Sequence, residues 1–359
     1  MVLSRLSEAA RWTRRAWLGS MGASLLVAAS VGPVPALAQS KALVPVRFTL
    51  DWRFEGPAAP FLVAIEKGYF KDEGLDVTID TGNGSREAIP RVASGTYQMG
   101  FGDFNSLIRF RDENPDVGVK AVMMVYDRPP FAIVGRKSRG ISKDLESLKG
   151  KKFGAPAADA AYAQWPIFRE VNKIDEKEWK LRFENVGFPV REPMLAQGEV
   201  DAVFGFSMSS AINLKARGVP EDDIVVMNMS DYGVELYGNV IMANQAFMDE
   251  KPEAVRGFLR AFMKGMKDTL ANPDQAVVTV LKRNDVARKD VELDRLKMTI
   301  ENNFVTPEVK QHGFGSIQEP RFDRAMDQIG LTFTYKNRPK MADVFTDAFL
   351  PSAAERKID

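Results

Sequence analysis

The sequence of 359 residues contains no cysteine and a single histidine, His312. The lack of cysteine excludes disulfide bonds, thiolate nucleophiles and sites in which cysteine holds zinc or an iron–sulfur cluster. One imidazole is too few for a histidine metal site and argues against a Ser-His-Asp hydrolase. The composition therefore removes most of the common catalytic centres from consideration.

The sequence also lacks an excess of charge of one sign. It contains 49 Lys and Arg and 48 Asp and Glu, which give a formal charge of +1. Binding of nucleic acid depends on a basic excess that displaces counterions from phosphates, so we expect no nucleic-acid partner. The apolar fraction of 45% and the charged fraction of 27% are typical of a soluble globular protein. The length predicts two domains of ordinary size.

Residues 1–38 have the features of an export signal rather than of a folded segment. Residues 13–19 (TRRAWLG) contain a twin-arginine pattern, residues 21–34 carry no charge, and residues 36–38 (ALA) fit a signal-peptidase site. The alternative is a permanent membrane anchor, but the apolar run is shorter than the about 20 residues that span a bilayer. We predict a twin-arginine signal peptide that is cleaved after Ala38.

An internal repeat indicates two similar lobes. Residues 86–103 (REAIPRVASGTYQMGFGD) and 191–206 (REPMLAQGEVDAVFGF) both begin with Arg-Glu, pass a glycine and reach Phe-Gly. With a gap of two residues, each copy predicts a helix, a glycine at the helix end and a strand. Chance similarity between two common helix–strand units is the alternative. Two α/β lobes imply a cleft between them, where small ligands bind.

The segments around the repeat predict the doubly wound α/β pattern in each lobe. The predicted strands are 46–50, 75–79, 151–156 and 224–227, and the predicted helices are 57–70, 160–171, 251–270, 273–282 and 292–304. Residues 121–134, with their Pro-Pro pair, and 232–243 are predicted to cross between the lobes. We expect the late helices to pack on the first lobe. We therefore assign residues 39–127 and 236–359 to a discontinuous lobe 1, and residues 128–235 to lobe 2.

Four short motifs resemble one family: residues 50–52 (LDW), 65–70 (IEKGYF), 73–77 (EGLDV) and 195–202 (LAQGEVDA). They are similar to the periplasmic substrate-binding proteins of ABC importers, in the SsuA/THI5-like branch for sulfonates, nitrate, taurine and thiamine-pyrimidine precursors. The resemblance implies a two-lobed Venus-flytrap fold of type II, with two doubly wound lobes joined by crossover strands. It also implies a periplasmic monomer that delivers its solute to a membrane permease and its ATPase.

The same superfamily includes fungal thiamine-pyrimidine synthases, which the resemblance associates with a histidine, a cysteine-rich iron site and pyridoxal phosphate. This sequence has no cysteine, and His312 lies in a late segment. It therefore departs from the synthases at the residues that their chemistry needs. We expect a binding protein without a cofactor and without catalytic activity.

Candidate ligand-binding residues follow the predicted strands, because ligands of open α/β sheets bind beyond the carboxyl ends of the strands. In the first lobe the selected positions follow the first strand, occupy the glycine-rich loop at residues 82–85, and follow the Phe-Gly strand: Asp51, Trp52, Phe54, Asn83, Gly84, Ser85, Asp103, Phe104 and Asn105. In the second lobe and the return crossover they are Asp159, Tyr162, Phe206, Glu235, Tyr237 and Asn239.

Several of these residues have a structural alternative. Trp52 offers a flat face to an aromatic or cationic ligand, or packs within its lobe. The loop before Ser85 presents N–H groups to an anion, or Ser85 is an ordinary N-cap. Asp103 holds an amino group or caps the following helix. Phe206 stacks opposite Trp52 when the lobes close, or belongs to a core.

Asp159 bears on the charge of the ligand, because it occupies the predicted start of the second lobe's first helix. The resemblance implies Ser or Thr there in proteins that bind sulfonate or nitrate. A carboxylate repels an anion and suits a neutral or amine-bearing ligand, unless it only caps the helix. Aromatic and acidic candidates outnumber basic ones, and Asn239 can both donate and accept, as heterocycle edges require.

We therefore expect an extracytoplasmic component of an ABC transporter that captures an amine-bearing or heteroaromatic solute, such as a thiamine-pyrimidine precursor. One alternative is a sulfonate-, nitrate- or taurine-type anion-binding protein of the same fold. An enzyme related to thiamine-pyrimidine synthase and a sensory ligand-binding domain are alternatives from other classes.

Overall fold

The structure is a computed structural model that describes residues 42–358. The predicted signal peptide, with its twin-arginine pattern and its cleavage site after Ala38, lies outside the described residues. Within residues 42–358, no helix combines the length and apolar character that crossing a membrane requires.

Ten strands form two five-stranded sheets in the described chain. In chain order they are β1 (Val44–Thr49), β2 (Leu75–Asp80), β3 (Met99–Asp103), β4 (Val119–Met124), β5 (Phe131–Arg136), β6 (Lys152–Gly154), β7 (Arg182–Glu184), β8 (Ala202–Phe206), β9 (Ile224–Asn228) and β10 (Asn239–Asn244). The first sheet has the order β2-β1-β3-β10-β4 and the second has the order β7-β6-β8-β5-β9.

The two sheets share one topology, which makes the fold two-lobed. In the first sheet, β1 pairs in parallel with β2 and β3, and β10 is antiparallel to β3 and β4. In the second sheet, β6 pairs in parallel with β7 and β8, and β5 is antiparallel to β8 and β9. Each antiparallel strand is the first one after a crossing from the other sheet. The predicted α/β fold with two lobes joined by crossover segments is confirmed, and we name the lobes after their sheets.

The α-helices cover the faces of the sheets and the edges of the cleft between them. In chain order they are α1 (Ala59–Glu66), α2 (Tyr69–Asp72), α3 (Ser85–Ala93), α4 (Phe104–Glu113), α5 (Ala160–Ala163), α6 (Trp165–Val171), α7 (Phe188–Gln197), α8 (Ser207–Ala216), α9 (Gln245–Glu250), α10 (Pro252–Ala271), α11 (Pro273–Leu281), α12 (Lys289–Thr299), α13 (Pro307–His312), α14 (Glu319–Gly330), α15 (Met341–Val344) and α16 (Ala353–Arg356). A π-helical turn, Ile300–Phe304, extends α12.

The internal repeat forms the same unit in both lobes. Helix α3 is followed by Gly95 with φ +77° and then by β3, and α7 is followed by Gly198 with φ +80° and then by β8. A left-handed residue at a helix end favours glycine, because other side chains are strained there. The predicted helix–glycine–strand unit is therefore confirmed in both copies.

Two predicted helices are each divided in the structure. Residues 57–70 form a 3₁₀ turn and helix α1, and the left-handed Gly68 (φ +77°) separates α1 from α2. Residues 160–171 form α5 and α6, with Pro166 near the start of α6. Proline lacks the N–H that an uninterrupted helix would use at this point. The apolar periodicity located both segments but did not show where they break.

The late helices contact both lobes, whereas the sequence placed them on the first. Helix α10 packs on α1 and buries Phe258 and Phe262 in the core of the first lobe. Helix α12 contacts α8 of the second lobe as well as the turn Gly56–Ala58 of the first, and α14 contacts α6. The buried Arg295 of α12 binds the second lobe, because its guanidinium donates to the backbone oxygens of Met208 and Ser209.

Candidate functional site

A cavity lies between the two lobes and holds about 660 Å³ of empty space, including its open mouth. Six aromatic rings line it: Trp52, Phe61, Phe101, Tyr126, Phe188 and Phe206. The charged side chains of the wall are Asp51, Arg53, Glu55, Asp159 and Arg191. Both lobes contribute residues to its wall, and small-molecule sites occur preferentially at such interfaces.

The lobes touch each other at the cavity. The rings of Trp52, after β1, and Phe188, at the start of α7, meet edge to face with their centroids 4.7 Å apart. Gly84 has φ +111°, and a Cβ at this position would lie 2.8 Å from the backbone oxygen of Ala158 in the second lobe. The approach of the two backbones therefore depends on glycine.

Two neutral side chains hold the carboxylate of Asp51 in the first lobe. Its Oδ2 accepts hydrogen bonds from Ser85 Oγ, at 2.8 Å, and from Asn239 Nδ2, at 2.6 Å. Burial raises the pKa of Asp51 to about 6, although these two hydrogen bonds act to lower it. The carboxylate thus has its own donors but no ion-pair partner among the described residues.

Glu55 and Trp52 each leave a buried polar atom without a partner. Glu55 is 9% exposed, and its Oε2 lies 3.4 Å from Nε of Arg295. Neither Glu55 Oε2 nor Trp52 Nε1 makes a hydrogen bond within the described part of the chain. Burial raises the pKa of Glu55, and the Arg295 guanidinium opposes this rise. The Trp52 side chain is also a nearby donor that lowers the pKa of Glu55, so these two polar groups lie near each other at the cavity wall.

Asp159 and Arg191 form the charged wall of the second lobe. One oxygen of Asp159 caps α5 by accepting from the backbone N–H groups of Ala161 and Tyr162, and the other accepts from Arg191 Nη1 at 2.8 Å. Arg191 also binds Glu192, with its Nη2 2.6 Å from Oε1. The N-cap alternative for Asp159 is therefore realised. The argument from an isolated carboxylate at this position needs correction, since Asp159 pairs with Arg191, which it shares with Glu192.

The sequence-predicted residues divide into two groups in the structure. Those that line the cavity are Asp51, Trp52, Gly84, Ser85, Asp159 and Phe206. Those outside its lining are Phe54, Asn83, Asp103, Phe104, Asn105, Tyr162, Glu235, Tyr237 and Asn239. Asn239 nevertheless supports the site from behind through its hydrogen bond to Asp51.

The group after β3 serves the fold of the first lobe. Asp103 is fully buried and caps α4 by accepting from the backbone N–H groups of Asn105 and Ser106. Phe104 belongs to a hydrophobic core, and Asn105 donates to the backbone oxygen of Tyr237 at 2.6 Å. Pseudo-symmetry places the end of β3 near the cleft, but α4 begins at once and turns these side chains inward.

The remaining predicted residues also have other contacts. Tyr237 is buried and its hydroxyl accepts from the N–H of Gln318, whereas Glu235 is exposed and pairs with Arg324. Tyr162 packs against Phe204, with a centroid distance of 5.1 Å. Phe54 packs on the core of the first lobe, and Asn83 is exposed.

Sequence reasoning missed several residues of the wall, among them Glu55, Phe188 and Arg191. A signal for Phe188 existed, because the 105-residue offset between the two copies of the repeat aligns it with the predicted Asn83. Arg191 opens the second copy and was read as part of a helix only. No local pattern distinguished Glu55, whose place in the cavity depends on the turn that follows β1.

Comparisons with known proteins agree with this architecture. The alkanesulfonate-binding protein SsuA from Xanthomonas axonopodis pv. citri, solved with bound MOPS, superposes with a TM-score of 0.65 over 86% of this chain and 99% of that chain. The two sequences are 11% identical, so this likeness shows the fold alone.

Three curated relatives are similar in sequence. The riboflavin-binding protein RibY of Chloroflexus aurantiacus is 27% identical over 61% of this chain, and the match spans 60% of RibY. The formylaminopyrimidine-binding protein of Halalkalibacterium halodurans is 28% identical, over 73% of this chain and 78% of the relative. The 4-amino-5-hydroxymethyl-2-methylpyrimidine phosphate synthase of Aspergillus parasiticus is 26% identical, over 64% of this chain and 68% of the relative.

The relatives thus include binding proteins and a synthase. The family described as NMT1/THI5-like matches residues 57–276, which is more than half of the chain. The protein therefore belongs to the NMT1/THI5-like family.

Proposed function

We propose that the protein is the extracytoplasmic solute-binding component of an ABC importer and that it captures a small amine-bearing or heteroaromatic solute between its lobes. One observation carries this proposal: the interlobe cavity combines aromatic rings from both lobes with the buried carboxyl groups of Asp51 and Glu55. Flat faces suit a ring, and carboxylates suit the N–H groups of an amine.

The groups that would hold an anion are already engaged. The Ser85 hydroxyl donates to Asp51, and the Arg191 guanidinium is surrounded by Asp159, Glu192 and the backbone oxygen of Phe204. Arg53 is the remaining cation of the wall, and it is exposed beside the Trp52 ring. This arrangement supports an amine-bearing solute over a sulfonate or nitrate.

Closure of the lobes would couple binding to transport. We assign residues 39–127 and 236–359 to lobe 1 and 128–235 to lobe 2, with hinges at residues 126–131 and 232–239. A ligand in the cavity contacts walls from both lobes, so it stabilises the closed form relative to the open form. The closed form would then present both lobe surfaces to a permease that works with an ATPase, and we infer that the protein acts there as a monomer.

The proposal includes the absence of catalysis, although some relatives carry the name of a synthase. The sequence offers no cysteine, and His312 is exposed at the end of α13 and does not line the cavity. Within residues 42–358, no group of three His, Cys, Asp or Glu side chains has the arrangement of a metal site. We propose a periplasmic location that is reached by the twin-arginine route, with the signal peptide cleaved after Ala38.

A thermal-shift screen of residues 39–359 tests the ligand class. The panel holds aminopyrimidines including formylaminopyrimidine, riboflavin, other heterocycles, taurine, alkyl and aryl sulfonates, nitrate and aromatic carboxylates. A ligand at 100 times its Kd stabilises the folded protein by about 2.7 kcal/mol, which a melting curve resolves. We expect shifts with amine-bearing heterocycles. Shifts confined to sulfonates or nitrate would refute the proposed solute class.

Two controls accompany the screen. Trp52→Ala should weaken the response by removing a ring of the wall, whereas Trp179→Ala removes a tryptophan of the second lobe that does not line the cavity.

Mass spectrometry of the ligand after prolonged incubation tests for catalysis. Recovery of unchanged ligand is expected, and a converted product would refute the assignment as a binding protein.

A further inference from the structure

We propose that the solute is bound as a cation. This inference rests on the proposed function and makes it more specific, since an amine-bearing heterocycle can be neutral or positively charged. The buried charges around the cavity do not balance. They include the carboxylates of Asp51, Glu55, Asp103, Asp159, Glu192 and Glu292 and the guanidinium groups of Arg191 and Arg295, each at most 9% exposed.

Each buried arginine is shared by two carboxylates. Arg191 lies 2.8 Å from Asp159 and 2.6 Å from Glu192. Arg295 lies 3.0 Å from Glu292 and 3.4 Å from Glu55. Each of these two groups of three therefore retains one negative charge when all its members are ionised.

Asp51 adds a third negative charge, because its partners Ser85 and Asn239 are neutral. Arg53 at the mouth offsets part of this excess, but it is exposed and its field is screened by water. Buried charges without compensation are unfavourable, so this excess of negative charge favours the uptake of protons or of a cationic ligand.

The position of Glu55 brings this excess of negative charge to the cavity wall. Glu55 is nine-tenths buried and lines the cavity, and it shares its nearest cation, Arg295, with Glu292. Aromatic faces from Trp52 and Phe206 line the same space, and such faces attract cations. A delocalised cation on a flat ring, such as a pyrimidinium or thiazolium, matches the acid and aromatic groups together.

The charge of the ligand is then linked to the protonation of the site. The titratable and charged groups that face Asp51 are Arg53 and Glu55 from its own loop, Asp103 from the end of β3, Tyr126 from the crossover, and Asp159 and Arg191 from the second lobe. Below about pH 6 Asp51 takes up a proton, because burial raises its pKa to that value. A permanent cation should therefore bind with release of protons at pH 6 and more weakly as the pH falls.

Matched ligand pairs that differ in charge test the proposal. Isothermal titration calorimetry of residues 39–359 at pH 7.5 compares 4-amino-2-methylpyrimidine with its N1-methyl pyrimidinium, and a thiazole with its N-methylthiazolium. We expect the cation of a pair to bind at least about tenfold more tightly, as a cation–π contact and one close carboxylate together imply. The same titration at pH 6 in two buffers of different ionisation enthalpy should reveal proton release.

Variants assign the preference to this site. Glu55→Gln and Asp51→Asn should lower the ratio of cation to neutral affinity, and a ratio within one variant is unaffected by the fraction of protein that is correctly folded. Equal or better binding of the neutral members would overturn the inference and leave the proposed function intact. Binding of none of the cations would also overturn it. Binding of sulfonates alone would overturn both.

Discussion

Asp51→Asn should make the ligand-free protein more stable at neutral pH, although it should damage ligand binding. Asn is nearly isosteric with Asp, and its side-chain oxygen can still accept from Ser85 and Asn239. The change therefore removes the buried charge while keeping the hydrogen bonds of the wild-type oxygen. Carboxyl groups kept for binding commonly lower the stability of the protein that contains them.

The magnitude follows from the pKa of Asp51, which burial raises from 3.8 to about 6 in the folded protein. A raised folded-state pKa means that the folded protein binds more protons than the unfolded chain between these values. Its contribution to the free energy of unfolding is therefore fully present below pH 3.8 and is lost as the pH rises through 6. Two pKa units correspond to about 3 kcal/mol.

The assay is urea unfolding of wild type and variant at intervals between pH 4 and pH 8. The difference in free energy of unfolding, variant minus wild type, should rise with a slope approaching about 1.4 kcal/mol per pH unit between pH 4 and 6 and level off above 7. Titrations of the other buried acids occur in both proteins and largely cancel. Asp76→Asn, at an exposed position of β2, controls for the loss of one charge. A difference that is flat, or that falls with pH, would refute the reasoning.

Three further changes test the closing of the lobes, the crossover segments and the export signal. Gly84→Ala should weaken ligand binding by about tenfold or more, because the new Cβ meets Ala158 of the other lobe. Calorimetry measures the loss of affinity. Gly74→Ala, with φ +76° and open space around it, controls for backbone strain alone. Arg321→Lys should lower the free energy of unfolding by about 1–3 kcal/mol, because Arg321 donates to the backbone oxygens of Asp127 and Leu236, one in each crossover. Urea unfolding measures this loss, and Arg324→Lys, at an exposed ion pair, should change stability by less than about 0.5 kcal/mol. Replacing Arg14 and Arg15 by Lys should keep the protein in the cytoplasm. The intact mass of wild-type protein from the periplasm should be that of a chain beginning at Gln39. An uncut chain in the membrane fraction would support the membrane anchor instead.

Much of the architecture could be predicted because its helices, strands and turns depend on local sequence patterns. The repeat at residues 86–103 and 191–206 carries its helix periodicity, its glycine and its strand within one short stretch. The proline pair before β5 marks the first crossing between sheets. Such signals need no information from distant residues, so they predicted the two sheets and their connections.

The candidate site was only partly predictable. Asp51 and Trp52 follow β1 directly, and the rule that ligands bind beyond strand ends selects them. The same rule also selected Asp103, where the carboxylate caps α4. A strand end shows that a residue is near the cleft, but it does not show whether the following helix turns the side chain towards the cleft or away from it.

By itself, the sequence determined the fold class, the lack of cysteine chemistry and the identity of the acids and rings after β1, because these depend on composition and on neighbouring residues. Only the tertiary structure decided the charge of the cavity. Arg191 meets Asp159 from 32 residues away, and Arg295 meets Glu55 from 240 residues away. Electrostatic energies depend on distance in space and on burial, and neither is encoded in any local stretch of sequence.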